Sequence, residues 1–235
     1  MKRILLCFGT RPEAIKMAPV LASLRDRVAH FEAVCCVTAQ HRGLLDQALD
    51  SFGIVPDFDL DLMRAGQQPS EIAAGVLQAL GPILREVRPA CVLVHGDTTT
   101  SMACALAAFH ARIPVGHVEA GLRSGTFQAP FPEELNRRVT SLTARWHFAP
   151  TQAARANLLR EGCDPAAIHV TGNTAIDVFE HMAGRLASDK PFALAVESEL
   201  SHVLPFCWRT ERFVLVTCHR REAFEDGLAA ICSAI

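Results

Sequence analysis

The sequence lacks an excess of charge of either sign. It has 23 Lys and Arg against 25 Asp and Glu, a formal net charge of −2 at pH 7, and a pI of about 6.5. A general nucleic-acid binder would present a basic face, so this balance argues against nucleic acid as a partner. Arg and His instead cluster in short stretches, which suits a small anionic ligand. Half of the residues are hydrophobic, so the chain can bury a sizeable core and is not disordered.

A long hydrophobic run is also missing. No segment approaches the roughly 20 apolar residues that a membrane span requires, so no membrane partner is expected. The amino terminus, MKRILLCF (1–8), begins like a signal peptide, but its apolar run is short and meets Gly9. We therefore interpret it as the first strand and predict a cytoplasmic protein.

Cysteine is plentiful, but the spacing of metal and redox sites is absent. The nine cysteines are odd in number and contain no C-x-x-C pair, which weakens both a zinc site and a thioredoxin-type site. Several lie in or beside apolar, strand-like runs, as small buried hydrophobic residues of a reducing compartment do. These are Cys7, Cys35, Cys36 and Cys91. No G-x-G-x-x-G fingerprint occurs either, so the sequence predicts neither a metal nor a dinucleotide cofactor.

Apolar runs of strand length alternate with helical patterns along most of the chain. The strands are predicted over residues 4–8, 31–38, 56–63, 91–94, 114–118, 146–149 and 168–170, the third being irregular and edge-like. The helices are predicted over 12–27, 44–52, 70–88, 98–112, 132–145, 151–161 and from 174 onward. Such alternation predicts an α/β fold with a doubly wound parallel sheet.

The pattern changes after residue 172. The helix that begins there is predicted to bury Ile176, Phe179, Ala183 and Leu186, and residues 187–205 are the least patterned stretch. An apolar run at 212–217 is predicted to be a new strand, followed by a helix from about residue 225. We predict an N-terminal domain at 1–172, a linker helix and connection at 173–205, and the start of a second domain at 206–235. One β-α unit cannot complete a sheet, so the sequence is expected to be cut short.

Three carboxylates occupy corresponding positions between residues 92 and 137. Asp97 and Glu119 each follow an apolar run, and Glu133 follows the Pro132 that marks a helix start. Ligands of open α/β sheets bind outside the carboxyl ends of the strands. Carboxylates that share one crevice repel one another, which separates acid from base roles. The competing interpretation is structural, with Asp97 capping the next helix and Glu133 complementing a helix dipole.

Two cations lie in the opening turns of the first predicted helix. Arg11 and Lys16 oppose the helix dipole there, and such a pair at a strand-to-helix turn indicates an anionic ligand outside it. The alternative is solvated surface charge partnered by Glu13.

Seven segments, in order, resemble the non-hydrolysing UDP-N-acetylglucosamine 2-epimerases. They are GTRPEAIKMAP (9–19), VTAQHR (37–42), VHGDTTT (94–100), GHVEAGLR (116–123), PEELNR (132–137), TGNT (171–174) and VTCHRRE (216–222). The resemblance runs the whole length of the chain. It implies two Rossmann-like domains in a glycosyltransferase-B-like architecture, with the second domain incomplete here, the substrate between them, and a homodimer formed through the first domain.

The resemblance also implies a reaction and its residues. The family interconverts UDP-N-acetylglucosamine and UDP-N-acetylmannosamine by eliminating UDP and adding it back with inversion at C2, usually for bacterial surface polysaccharides. The implied catalytic residues are Asp97, Glu119, Glu133 and His219, the last assisting departure of UDP. The implied substrate-binding residues are Arg11, Lys16 and Arg137. No metal or nicotinamide cofactor is implied.

Two departures from the family pattern keep other functions open. The family usually has Gly where Cys218 stands, and its members run well beyond this length. The alternatives are a glycosyltransferase of the same architecture, which would need an acceptor, and a non-catalytic fragment of an epimerase. For residues 1–235 alone, little or no turnover is expected, because half of the closing cleft would be missing.

Overall fold

The computed structural model describes residues 1–39, 42–62, 64, 66–217 and 227–234. The chain divides into two compact units, Met1–His181 and Met182–Ile235. The first unit contains the sheet and every strand among the described residues.

Seven parallel strands form one sheet in the first unit. They are β1 (Lys2–Phe8), β2 (Phe31–Val37), β3 (Phe58–Asp59), β4 (Cys91–His95), β5 (Val115–Val118), β6 (Trp146–Ala149) and β7 (Ile168–Val170). Their order is β3-β2-β1-β4-β5-β6-β7, which confirms the predicted doubly wound α/β fold. The direction of strand addition reverses between β1 and β4, and ligands of such sheets bind in the crevice at that reversal.

Helices connect the strands and cover both faces of the sheet. In the first unit they are α1 (Arg11–Arg25), α2 (Arg42–Ser51), α3 (Pro69–Val87), α4 (Thr99–His110), α5 (Glu133–Thr143) and α6 (Gln152–Arg160). A short 3₁₀ turn, Pro165–Ala167, precedes β7. Helix α7 (Thr174–Ser188) begins in the first unit and ends in the second, which also holds α8 (Lys190–Val203) and α9 (Gly227–Ala234).

The core of the sheet forms two buried layers, one on each face. Ile4, Leu6 and Val118 pack on the face covered by α1 and α2. Val34, Val92, Val94 and Val115 pack on the opposite face, against α3 and α4. Successive side chains of a strand point to opposite faces, so a sheet with helices on both sides buries every residue of its central strands. This explains why β4 is an unbroken apolar run until His95.

The four cysteines expected to be small buried hydrophobic residues are all buried. Burial raises the pKa of the Cys35 thiol to about 12 and that of Cys91 to about 11. Among the described residues, no group of three or more His, Cys, Asp or Glu is arranged to hold a metal ion. None of the helices in the described part of the chain has the length and apolar character needed to cross a membrane.

The prediction for the buried face of α7 was wrong. Ile176, Phe179 and Leu186 are 62%, 74% and 43% exposed, and Ala183 is exposed as well. The helix itself begins at Thr174, where it was predicted to begin. Apolar residues at helical spacing are buried only where another element covers them, and no described element covers this face.

The strand predicted over residues 212–217 was also wrong. These residues have no regular secondary structure, and their apolar side chains, including Val214 at 86%, are exposed. A β-strand needs a partner strand for its backbone hydrogen bonds, and the described part of the second unit offers none. Residues 187–205, predicted to be the least patterned stretch, are instead mostly helical, because α8 occupies Lys190–Val203.

Candidate active site

The candidate site lies at the carboxyl edge of the sheet, where β4 and β5 end side by side. His95, the last residue of β4, is in register with Val118, the last residue of β5. Asp97 follows two residues after β4, and Glu119 follows β5 directly. Glu133 is the first residue of α5. The strand ends therefore bring Asp97 and Glu119 to one edge, as the sequence predicted.

The turn after β4 points Asp97 toward α5. Gly96 adopts a left-handed backbone conformation, with φ 67°, which Gly adopts without steric cost. The cap of α4 is Thr98, whose side-chain oxygen accepts a hydrogen bond from Ser101 N at 3.0 Å. Asp97 is thus not the helix cap of the structural interpretation. Its backbone carbonyl instead accepts a hydrogen bond from Asn136 Nδ2 of α5 at 2.9 Å.

Arg137 of α5 binds the Asp97 carboxylate. Its Nε and Nη2 both donate to Asp97 Oδ2, at 3.0 and 2.5 Å. Its third arm, Nη1, donates to Glu134 Oε2 at 3.2 Å. No described residue donates a hydrogen bond to the other oxygen of Asp97, Oδ1.

Glu134 helps to fix the position of Arg137. The side chain is fully buried and also accepts hydrogen bonds from Ser124 N at 3.0 Å and Arg138 Nε at 3.1 Å. Although burial alone raises the pKa of this carboxyl group, these hydrogen bonds outweigh it and hold the pKa below its usual value. From sequence, only the neighbouring Glu133 was predicted to be catalytic.

Glu119 is held by two donors in an unusual backbone conformation. Its φ is 62°, in the left-handed region that residues other than Gly, Asn and Asp seldom adopt. Its Oε2 accepts hydrogen bonds from Lys16 Nζ at 2.5 Å and from Asn173 Nδ2 at 3.0 Å. Strained backbone of this kind concentrates at functional sites, so it adds to the case for Glu119. Lys16, expected to face a ligand, is thus paired with a candidate catalytic carboxylate.

Glu133 and Arg11 have no such partners among the residues that the structure describes. Glu133 Oε2 is buried, and no described residue forms a hydrogen bond with it. Arg11 is exposed at the start of α1, and it forms no ion pair with any residue that the structure describes. The three candidate cations therefore differ, because Lys16 and Arg137 each bind a carboxylate and Arg11 binds none of the described carboxylates. His219, the fourth predicted catalytic residue, and Cys218 before it lie outside the described residues.

Glu13 is a buried structural residue, not a partner of surface charge. It was considered as a partner of surface charge, but it is only 1% exposed. One oxygen accepts from Gly9 N at 3.0 Å and Thr10 N at 2.8 Å. The other lies 2.7 Å from the hydroxyls of both Thr98 and Ser101. The signal that reveals this role is the capping box formed by Thr10 and Glu13, followed by a second set of hydroxyls after β4.

Close packing at the turn after β1 makes Gly9 necessary. A Cβ atom at this position would lie 2.1 Å from Thr38 Oγ1 and 3.0 Å from Thr100 Oγ1. The backbone of the turn therefore approaches β2 and α4 more closely than any side chain permits.

Three buried histidines line the strands beneath the carboxylates. Burial lowers the pKa of His95 and His117 to about 3, and burial lowers the pKa of His147 too. His117 Nε2 lies 2.8 Å from the Gly96 carbonyl and donates to it. Neither ring nitrogen of His95 forms a hydrogen bond with a described residue, although Nε2 lies 3.8 Å from Glu119 Oε2.

The loop after β5 is anchored to the rest of the unit. Arg123 donates to both oxygens of Glu161, at 2.8 and 2.6 Å. Gly121 has φ 88°, and a Cβ atom there would lie 2.3 Å from the backbone carbonyl of Ala154. The segment that carries Glu119 is thus fixed on both sides, by the sheet and by α6.

The doubly wound parallel sheet defines a Rossmann-like unit, and two carboxylates, each bound by a cation, lie at its carboxyl edge. The family model described as UDP-N-acetylglucosamine 2-epimerase matches residues 24–235. The chain belongs to this family.

The relatives that it matches are longer. The chain is 52% identical to the UDP-N-acetylglucosamine 2-epimerase of Salmonella typhimurium over 234 residues, which cover 99% of this chain and 61% of the relative. The Escherichia coli K12 enzyme is 51% identical with the same coverage. The chain thus spans about three fifths of the length of these relatives.

Solved structures of the family share the fold. The Neisseria meningitidis UDP-GlcNAc 2-epimerase bound to UDP-GlcNAc is 44% identical, with a TM-score of 0.79 over 86% of this chain and 55% of that one. The Methanocaldococcus jannaschii enzyme in complex with UDP-GlcNAc and UDP is 31% identical, with a TM-score of 0.78 over 86% and 54%.

Proposed function

We propose that this chain belongs to a protein that interconverts UDP-N-acetylglucosamine and UDP-N-acetylmannosamine by eliminating UDP and adding it back with inversion at C2. The observation that carries the proposal is the pair of carboxylates, Asp97 and Glu119, each bound by a cation through one oxygen only. Family membership supports the same reaction, and the named substrates of the relatives supply its chemistry.

The reaction needs groups that take a proton from C2 and return one to its other face. In the elimination, a base removes the C2 proton, the bond between C1 and the UDP oxygen breaks, and a C1–C2 double bond forms. In the addition, a UDP oxygen bonds to C1 while an acid delivers a proton to the opposite face of C2. Positioned carboxyl groups perform such transfers. Asp97 Oδ1 and Glu119 Oε1, to which no described residue donates, are the oxygens that can accept a proton, and Glu133 is the third group available to carry one.

The three cations would bind the charged part of the substrate, in addition to the carboxylates that two of them already bind. Arg11 is exposed and forms no ion pair with a described residue, so it can bind an anionic group such as a diphosphate. An ammonium has three donors and a guanidinium has five, so Lys16 and Arg137 can each bind a carboxylate and a substrate oxygen at the same time. His219 would stabilise the departing UDP, where negative charge develops.

The test uses a chimera in which residues 1–235 are joined to the remaining part of the Salmonella relative. Turnover in deuterated water is expected to place deuterium at C2, because that proton is removed and replaced. The variants Asp97→Asn, Glu119→Gln and Glu133→Gln keep shape but lose the ionisable group. Each should slow turnover by roughly 10²–10⁴-fold, the usual contribution of a positioned acid or base.

Glu32→Gln is the matched control for these variants. Glu32 forms a surface ion pair with Arg3 at 3.0 Å, and both side chains are 40% exposed, so this substitution should leave turnover unchanged. Full activity of all three amide variants would contradict the carboxylate assignment. Epimerisation without deuterium at C2 would contradict the elimination itself.

We further propose that the protein acts as a homodimer in the cytoplasm and supplies bacterial surface polysaccharide synthesis. The support is the resemblance to the family. The small residues of α4, among them Ala103 and Ala108, are fully buried inside this chain, so they do not supply the interface. Exposed apolar side chains such as Phe109 and Leu142 remain available for it.

A further inference from the structure

Asn173 joins a candidate catalytic carboxylate to the start of a helix. It lies in the loop between β7 and α7, and its Nδ2 donates a hydrogen bond to Glu119 Oε2 at 3.0 Å. Its other arm, Oδ1, accepts a hydrogen bond from Ala175 N at 2.9 Å, which makes Asn173 the N-cap of α7. Both ends of the amide are therefore occupied, and the side chain has one orientation.

The loop that carries Asn173 is fixed to the sheet. Thr171 N donates to the Ala149 carbonyl at 2.9 Å, and Gly172 turns the chain with φ 81°. Strand β6 lies between β7 and β5, so the loop brings Asn173 across the end of β6 to reach Glu119. This placement requires the turn at Gly172, because the strand alone would continue away from the site.

Only an amide of this length supplies both contacts. Asp would cap the helix equally well, but it has no donor for a carboxylate. Ser would also cap the helix, but its side chain has a single short arm that cannot reach Glu119 while it caps. The two hydrogen bonds also settle which amide atom is nitrogen, because a carboxylate accepts and a backbone N–H donates.

Lys16 alone would not fix the direction of Glu119. An ammonium is a compact charge on a flexible stem, with three donors that rotate, and the Lys16 side chain is 25% exposed. The amide of Asn173 adds a second, directional contact to the same oxygen. Glu119 Oε2 is thus occupied twice, whereas no described residue donates to Oε1.

We infer that Asn173 is a positioning residue that, together with Lys16, holds Glu119 Oε2 and leaves Oε1 as the oxygen that faces the substrate. The benefit to catalysis rests on the proposed function. The contact between Asn173 and Glu119 does not depend on that function, so it can be measured in residues 1–235 without any turnover.

The experiment compares two cap substitutions by NMR and thermal melting of the 235-residue chain. Asn173→Ser keeps the cap of α7 and removes the donor to Glu119. Thr151→Ala is the matched control, because Thr151 caps α6 by accepting from Ala154 N at 3.1 Å and does not contact Glu119. The signals to follow are the side-chain carboxyl carbon of Glu119 and the ammonium of Lys16, and Glu119→Gln assigns the first by its loss.

Each substitution should change one measurement and leave the other unchanged. Asn173→Ser should shift both signals and leave the melting temperature close to that of the parent chain. Thr151→Ala should lower the melting temperature by roughly 2–4 °C, as loss of a cap does in a unit of this size, and leave both signals in place. Unchanged signals in Asn173→Ser, or equal shifts in Thr151→Ala, would overturn the inference. Neither result would bear on whether the longer protein is an epimerase.

Discussion

Lowering the pH from 7 to 5 should destabilise the first unit through its buried histidines. Burial lowers the pKa of His95 and His117 from 6.5 to about 3. The unfolded chain therefore takes up protons between pH 7 and 5, while the folded chain does not. The pKa of such a His is lower in the folded state than in the unfolded state. Its contribution to folding stability is therefore fully present above pH 6.5, the unfolded pKa, and is lost as the pH falls toward the folded pKa. The free energy of unfolding should thus decrease on acidification.

The size of the loss follows from the titration of the unfolded chain. Between pH 7 and pH 5, protonation of one such histidine favours the unfolded state by about 25-fold, or about 1.9 kcal/mol. Because pH 5 still lies well above the folded pKa, this figure depends almost entirely on the unfolded value. The two residues together account for about 4 kcal/mol, a large part of the stability of a typical domain. His147, whose pKa burial also lowers, acts in the same direction.

The assay is urea unfolding at pH 7 and pH 5, followed by the fluorescence of Trp146 in β6. A Trp208→Phe background removes the second tryptophan, which lies in the other unit. His117→Gln keeps an amide donor for the Gly96 carbonyl and cannot take up a proton, so it should reduce the pH dependence by about 2 kcal/mol. His110→Gln, at the exposed end of α4, is the control and should retain the full dependence. A parent chain that loses less than about 1 kcal/mol, or a His117→Gln variant that loses as much as the parent, would refute the reasoning.

Three further predictions concern folding and assembly. Truncation near Gly172 should leave a protein that melts cooperatively, because the sheet and its helices close their own core; a gradual melt would count against this domain boundary. Glu13→Gln should lower the free energy of unfolding by roughly 2–3 kcal/mol, since buried donors lose a charged acceptor. In the same denaturation assay, the surface control Glu32→Gln should stay within about 0.5 kcal/mol of the parent. Sedimentation at micromolar concentration should reveal a dimer with two-fold symmetry as its simplest arrangement, and a monomer alone would disprove it.

The fold of the first unit could be predicted because its signals are local. Strands buried on both faces appear as short apolar runs, such as β1 and β4, and each is closed by a turn residue. The second unit was harder. Residues 187–205 were predicted to be the least patterned stretch, but Pro191 within them occupies the first turn of α8, where Pro is favoured. The side chain of Asp189 accepts from Phe192 N at 3.1 Å, so Asp189 and Pro191 together marked a helix start.

The carboxylates of the site could be located from sequence, but their partners could not. Asp97 and Glu119 were placed by the strand ends, which local patterns define. Lys16 meets Glu119, and Arg137 meets Asp97, across separations that only the finished sheet brings together. Charge patterns show that a cation is near a helix start, but they do not show whether it faces a ligand or another side chain. The same limit hid the buried position of Glu13.

The buried Glu13 carboxylate has a mechanical consequence. It bonds the turn before α1 to the hydroxyls at the start of α4, so the lysine-bearing helix and the aspartate-bearing turn form one braced frame. Lys16 and Asp97 therefore cannot drift independently, even though they belong to different crossover units. A displacement on one side of the crevice is therefore expected to be transmitted to the other side through the buried side chain of Glu13.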